Sequence, residues 1–324
     1  MKVNRSRLDW GVFLIVLGGV LLLFNIGLID RASVNQLAFL WPVVLIALGC
    51  GLLLRYSRVQ LAGGLIVAIT LGLVIGSILA GGVSAGAQIG CSGNGSGGTP
   101  VTANGVFAAG GLVDAQLSCV NLTLDGQPGN GWNVSAGSDS IRQPTIEPAA
   151  DAVRLRSEPE RFFGPGPRLP WHITVPQSTN VGLGIEANVA TGNVSPGPAQ
   201  LSSLNFTLNA SDLDFDLRDV IALPSFGGTL NAASSTLILP AGVSAMSGGI
   251  TLNASSLNLC VAPSTNVQIE LSETLSSNNF AAAGLVKSGE QWVTTGGSTA
   301  GPALTMHMST NVSSVTLDRS GECT

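Results

Sequence analysis

One phrase returns at a fixed spacing. It reads Leu208-Asn209-Ala210-Ser211, then Leu230-Asn231-Ala232-Ala233-Ser234, then Leu252-Asn253-Ala254-Ser255. The asparagines stand 22 residues apart both times, and a weaker copy, Ala187-Asn188, lies 21 residues upstream. A period in the low twenties marks a stacked chain, because a unit this short cannot bury its apolar face without a neighbour. Within each copy the apolar residues alternate, which is strand spacing. Phe206, Leu208 and Ala210 share one parity, and Leu213, Phe215 and Leu217 share the other. Both sets reach one core only if the chain turns a corner between them. Asn and Ser suit that corner, since they bond nearby backbone and Asn tolerates left-handed conformations. The expected object is a single-stranded β-solenoid of ~22-residue coils, spaced ~4.8 Å apart. A β-sandwich with coincidental spacing is the alternative.

The same period aligns the outward residues of successive coils. Asp212, Ser234 and Ser256 form one column, and Asp214, Thr236 and Asn258 the next. This small polar face offers hydroxyls, an amide and two acids. It suits weak hydrogen bonding to a sugar or peptide chain, or serves only to keep the domain soluble.

Composition divides the chain. Residues 1–82 are dominated by Leu, Ile, Val, Ala and Gly, whereas the rest is rich in Gly, Ser, Thr, Asn and Val. Three apolar runs, Gly11–Ile29, Leu37–Leu54 and Val59–Ala80, are each about long enough to cross a bilayer. Three transmembrane helices are expected. Lys2, Arg5 and Arg7 precede the first run, and Arg55 and Arg58 lie between the second and third. Positive residues stay inside, so the amino terminus is expected in the cytoplasm and everything after Gly82 outside. No run carries an interior acid or base, which removes the usual pointer to an ion path. Their glycines permit close helix contact, and with it a homo-oligomer through the membrane helices. The net charge is −5 and there is one tyrosine, so neither a phosphate-gripping nor a base-stacking surface recommends nucleic acid as a partner.

The segment Leu17-Gly18-Gly19-Val20-Leu21-Leu22-Leu23-Phe24-Asn25-Ile26-Gly27-Leu28, followed by Trp41-Pro42, resembles the membrane segment of LiaI/LiaF-type bacterial proteins. Residues 83–100 then read as a flexible linker and 101–324 as an extracytoplasmic β domain. Strand-like pieces include Leu117–Leu124, Ile173–Val175, Ile185–Val194 and Thr305–Leu317, and Arg161–Pro170 reads as a loop. Trp171-His172-Ile173-Thr174-Val175-Pro176, the Asn-containing coils and Gly284–Trp292 resemble toast-rack and adhesin-type domains. That resemblance implies a β-solenoid-like fold without enzymatic activity.

No catalytic pattern contradicts this. Asp212, Asp214 and Asp216 face one side of a strand, too widely spaced to share an ion, and Leu217 stands where a calcium loop needs glycine. His172 and His307 lack neighbouring metal-ligating residues. There is no phosphate loop and no nucleophile elbow. No cofactor or metal is expected. Cys50 lies in the second apolar run, while Cys91, Cys119, Cys260 and Cys323 all fall in the part expected outside. Four cysteines allow three pairings. Cys119 and Cys260 are 141 residues apart, about six ~22-residue coils and out of disulfide reach, so Cys91–Cys119 with Cys260–Cys323 is favoured.

The resemblance implies a non-catalytic, membrane-anchored cell-envelope protein that senses or regulates envelope stress. Its expected partners are the lipid bilayer and a membrane signalling protein. The alternative is a surface adhesion or structural module binding a cell-envelope polysaccharide or a protein.

Overall fold

The computed structural model describes residues 91–95, 98–139, 142–157, 166–294 and 303–320. The three apolar runs, Cys50, Cys323 and residues 158–165 lie outside the described residues. The chain divides into two units, Met1–Ile89 and Gly90–Thr324, and the described residues all belong to the second.

Among the described residues every regular element is a strand. The first eight are β1 (Cys91–Asn94), β2 (Val101–Val106), β3 (Gly111–Ser118), β4 (Val120–Gln127), β5 (Gly131–Ala136), β6 (Thr145–Pro148), β7 (Ala152–Arg156) and β8 (Gly166–Pro176). The repeating region supplies β9 (Asn180–Asn188), β10 (Thr191–Ser195), β11 (Gln200–Asn209), β12 (Asp212–Asp216), β13 (Ser225–Asn231), β14 (Ser234–Ile238), β15 (Ala245–Asn253) and β16 (Ser256–Cys260). The last six are β17 (Asn266–Thr274), β18 (Ser277–Asn278), β19 (Leu285–Ser288), β20 (Gln291–Thr294), β21 (Ala303–Asn311) and β22 (Ser314–Asp318).

These strands form two sheets of eleven. Through the repeat, successive strands alternate between the sheets, so each turn of chain lays one long and one short strand on its neighbours. Pairing there is parallel and in register: Leu208 opposes Leu230, which opposes Leu252. Side chains alternate, and the inward set fills the space between the sheets. Phe206, Leu208, Leu213, Phe215, Leu217, Leu230, Leu237, Leu252, Leu257 and Leu259 are all buried. Ser235 interrupts this apolar column, and its hydroxyl donates to the Leu213 carbonyl at 2.6 Å. Phe206 lies against Gly228 and Phe226 against Gly248, each ring occupying the place a β-carbon would take on the next coil.

The corners have a fixed chemistry. The residue after each corner position adopts the left-handed region: Cys119, Val189, Ala210, Ala232, Ala254, Leu275 and Val312. The asparagine itself ends the strand, and its side chain bonds to the next coil. Asn209, Asn231, Asn253 and Asn311 each donate an amide N–H to the Asn Oδ1 of the adjacent coil, at 2.8, 2.8, 2.9 and 3.0 Å. The left-handed bend is therefore carried one residue later than the sequence suggested. It also falls inside three of the segments read as strand-like. Leu117–Leu124 breaks at Cys119, Ile185–Val194 at Val189, and Thr305–Leu317 at Val312. Each holds both parities of apolar residue because it belongs to both sheets.

Chain order and stack order differ at both ends. Along the stack the coils run β7/β8, β3/β4, β9/β10, β11/β12, β13/β14, β15/β16, β21/β22, β17/β18. The first and last coils in sequence each sit one place in from the end. Consequently Asn253 neighbours Asn311, although 58 residues separate them. Cys119 and Cys260 are four coils apart rather than six, which at ~4.8 Å per coil is still about 19 Å. Antiparallel strands cover the ends: β6 on β7, β5 on β8, and the β19–β20 hairpin on β17. The two sheets therefore end on β2 and β18, and on β6 and β19.

Two expected boundaries move. Strand β1 pairs with β8, so pairing begins at Cys91, inside the stretch read as a linker. Cys91 is disulfide-bonded to Cys119 with a Cα–Cα distance of 5.5 Å. Residues 166–170, read as part of a loop, belong to β8, whose edge is held by β4.

Candidate functional site

The six residues read as an outer face lie on β12, β14 and β16 of the short-strand sheet. On the outer face of the short-strand sheet Asp212 opposes Ser234, which opposes Ser256, and Thr236 opposes Asn258. The columns continue through Thr191 and Ser314, and through Asn193 and Thr316. Asp214 is not a free acid there. Its Oδ1 accepts the Thr236 backbone N–H at 2.9 Å, so the carboxylate takes a carbonyl's place between two coils. Ser256 donates to the Ser234 hydroxyl at 3.2 Å, and the Asn258 Oδ1 is buried without a protein partner. Partial burial of its carboxyl, reinforced by Asp214, holds Asp212 above the ordinary carboxylate range against the opposing charge of Arg168. Asp216 is committed to Arg218 at 2.8 Å.

Both histidines find a carboxylate on another coil. His172 Nε2 lies 2.9 Å from Asp125 and His307 Nδ1 lies 3.1 Å from Glu270. Such pairs are invisible to local spacing because the partners are 47 and 37 residues apart. Among the described residues no group of three His, Cys, Asp or Glu is placed to hold a metal ion. Cys260 is also disulfide-bonded, while Cys323, its expected partner, lies outside the described residues.

A concave site that the sequence did not announce lies on the other sheet. It is a groove of about 370 Å³ at the strand ends of β6, β7, β3 and β9. Gln116, Ser118, Glu147, Arg156, Glu186 and Asn188 line it, and no apolar side chain does. Gln116 sits between Arg156 on one side and Glu186 on the other in a single cross-strand row. Ser118 opposes Asn188 in the next row. Asn188 is the last member of the asparagine ladder, accepting from Asn209 through its Oδ1. Each amide in that ladder polarises the next, and the donor end faces the groove. Beyond the groove the rows continue regularly, as Thr207, Thr229 and Thr251 beside Asn209, Asn231 and Asn253.

Comparison with known proteins adds a segment near the amino terminus. Residues 10–53 match the family model of the LiaI-LiaF-like transmembrane region. No curated protein matches the chain. Among solved structures it is similar to a candidate cell adhesion protein from Clostridium sporogenes ATCC 15579, at 10% identity and a TM-score of 0.41, over 68% of this chain and 99% of that one. It is also similar to a candidate adhesin from Bacteroides fragilis NCTC 9343, at 10% identity and a TM-score of 0.28, over 68% and 97%. The chain joins a LiaI-LiaF-like membrane region to an all-β unit, which fits a membrane-anchored envelope protein.

Proposed function

We propose that this protein is a non-catalytic sensor or regulator of envelope stress. The match of residues 10–53 to the LiaI-LiaF-like transmembrane region carries the reading. In it three helices span the membrane with the amino terminus in the cytoplasm, and the β unit is an extracytoplasmic single-stranded β-solenoid. The solenoid presents polar faces outside, and the helices pass the state of the envelope to a membrane signalling protein. No cofactor is required. The charge asymmetry around the apolar runs and the disulfide between Cys91 and Cys119 both support an outward β unit. The second reading, an adhesion or structural module, is favoured by the in-register polar face and by the groove.

Site-specific photo-crosslinking of the full chain in its native membrane separates the two. Probes at Leu45 and Ile66 should capture a membrane protein, with a yield that changes under envelope stress. Adducts from Thr229 alone would transfer the function to the adhesion reading. Orientation is tested independently with Ser320→Cys and a membrane-impermeant thiol label. Labelling that requires lysis of the inner membrane would overturn the outward placement.

A further inference from the structure

The groove at the β6–β7 end carries charges that the middle of the long-strand sheet lacks. Through the middle of the long-strand sheet the outward rows are hydroxyls, amides and glycines, Thr207, Thr229 and Thr251, then Asn205, Gly227 and Gly249, and charge returns only toward the ends, as Arg154 beside Asp114 and His307 beside Glu270. In the groove the same row holds a guanidinium, an amide and a carboxylate, from Arg156, Gln116 and Glu186. Gln116 keeps the two charges two coils apart, ~9.6 Å along the sheet, so they do not neutralise one another. Glu147 enters from β6, and the terminal amide of the asparagine ladder from β9.

The lining selects its ligand by exclusion. With no apolar side chain in the wall, an acyl chain or an aromatic ring gains nothing on entry. With Arg154 opposite Glu147, and Glu186 facing Arg156 across Gln116, carboxylates and guanidinia balance and offer an anion such as phosphate no net attraction. What remains is a ligand dense in both donors and acceptors. Carboxylates accept from adjacent hydroxyls, while Arg156, Gln116 and the Asn188 amide donate to hydroxyl, ring and carbonyl oxygens. The volume of about 370 Å³ admits about one or two sugar rings.

We propose that this groove binds the end of a neutral, polyhydroxylated glycan chain of the cell envelope. The next sugars of the glycan lie along the Thr207–Thr229–Thr251 row, which presents one hydroxyl per coil at ~4.8 Å. The inference rests on the proposed outward placement of the β unit. Without an aromatic platform the affinity of a single site is in the ~1 mM range, and clustering of copies in the membrane strengthens it.

The test is ligand-observed NMR on the full chain in detergent micelles, with chitotetraose as the neutral probe and inorganic phosphate as the anionic one. Chitotetraose should bind saturably, and more tightly than chitobiose. Glu186→Gln and Arg156→Met should each weaken it at least five-fold. Val286→Lys, on the exposed β19 at the opposite end of the stack, should leave it unchanged. Matching melting curves establish that the variants are folded. Absence of saturation, equal binding by the groove variants, or tighter binding of phosphate would overturn the proposal. Binding that persists in a chain whose Ser320→Cys label shows the β unit inside would keep the site and remove the envelope glycan as its ligand.

Discussion

Gly248 and Gly249 are consecutive residues of one strand, and the structure assigns them opposite consequences. Gly248 is buried and opposes Phe226 across the coils, and an added β-carbon would enter the ring of Phe226. The ring is buried among the core and has no open side to turn to. Overpacking of a core this dense costs ~1–3 kcal/mol. Removing a glycine from the unfolded chain returns ~0.4–1 kcal/mol, so Gly248→Ala should cost about 1–2 kcal/mol net. Gly249 points outward, and its added β-carbon meets nothing within 4 Å. There only the entropy remains, and Gly249→Ala should stabilise by ~0.5–1 kcal/mol. The two variants should then differ by about 2 kcal/mol, which is roughly 4–8 °C in Tm for a unit of this size. Thermal and urea unfolding of the full chain in detergent, followed by the β-sheet circular dichroism, measures this. In a Phe226→Leu background the cost of Gly248→Ala should fall, because the obstructing ring is gone. Equal melting of the two alanine variants, or a cost of Gly248→Ala that ignores Phe226, would refute the packing argument.

Two aspartates should show opposite pH signatures. Asp212 is raised, so its favourable contribution is present below its unfolded value of 3.8 and lost as pH rises through its folded value. Asp318 is lowered by the Ser320 backbone N–H, so its contribution is present above 3.8 and lost as pH falls through its folded value. At neutral pH Asp212→Asn should therefore stabilise and Asp318→Asn destabilise, with the Asp212 difference closing below 3.8 in urea melts. Removing the Cys91–Cys119 bridge by a double alanine substitution should cost about 3–4 kcal/mol, from the 28-residue separation it closes; no change in urea midpoint would contradict it. Leu237→Asp puts a lone carboxylate into the core and should unfold the unit, whereas Asp214→Ala, which releases only the Thr236 N–H, should cost about 1 kcal/mol; similar melts would reverse the inside and outside faces. Deleting residues 303–324 removes the coil between β15/β16 and β17/β18, so limited proteolysis should degrade 261–294 as well; protection of that segment would contradict the exchanged order.

Much of the fold was legible because the repeat is local. The 22-residue spacing predicts which residues oppose one another, and Asp212, Ser234 and Ser256 stand in the register it implies. Alternation and the parity switch identify the core, from Phe206 to Leu217. What the repeat cannot report is anything joined by a different separation. Asn311 belongs to the ladder of Asn253 but stands 58 residues away, so it carries the chemistry of the repeat without its spacing. The strand at Cys91 has no apolar alternation at all, being held by a disulfide and by the edge of β8. The groove residues escaped for the same reason. Gln116, Arg156 and Glu186 share no motif, and only the order of coils sets them in one row.

That order explains why the candidate site lies at one end. A stack of identical coils repeats each outward residue along a row, so its faces are uniform ladders with no distinctive point. Distinct chemistry requires a break in the repeat. Here the break is the exchange of β3/β4 with β7/β8. Had the coils followed the sequence, β7 would lie between β3 and β9, and Arg156 would stand beside Glu186 at one coil spacing. The two would then form a surface ion pair, of the kind worth ~0–1 kcal/mol to stability and nothing to recognition. With the exchange, Gln116 comes between them and both charges remain available to meet a ligand. The outward position of β7 also leaves its edge to β6, which brings Glu147 to the groove. The antiparallel strand that ends this sheet is thus the same one that completes the polar groove.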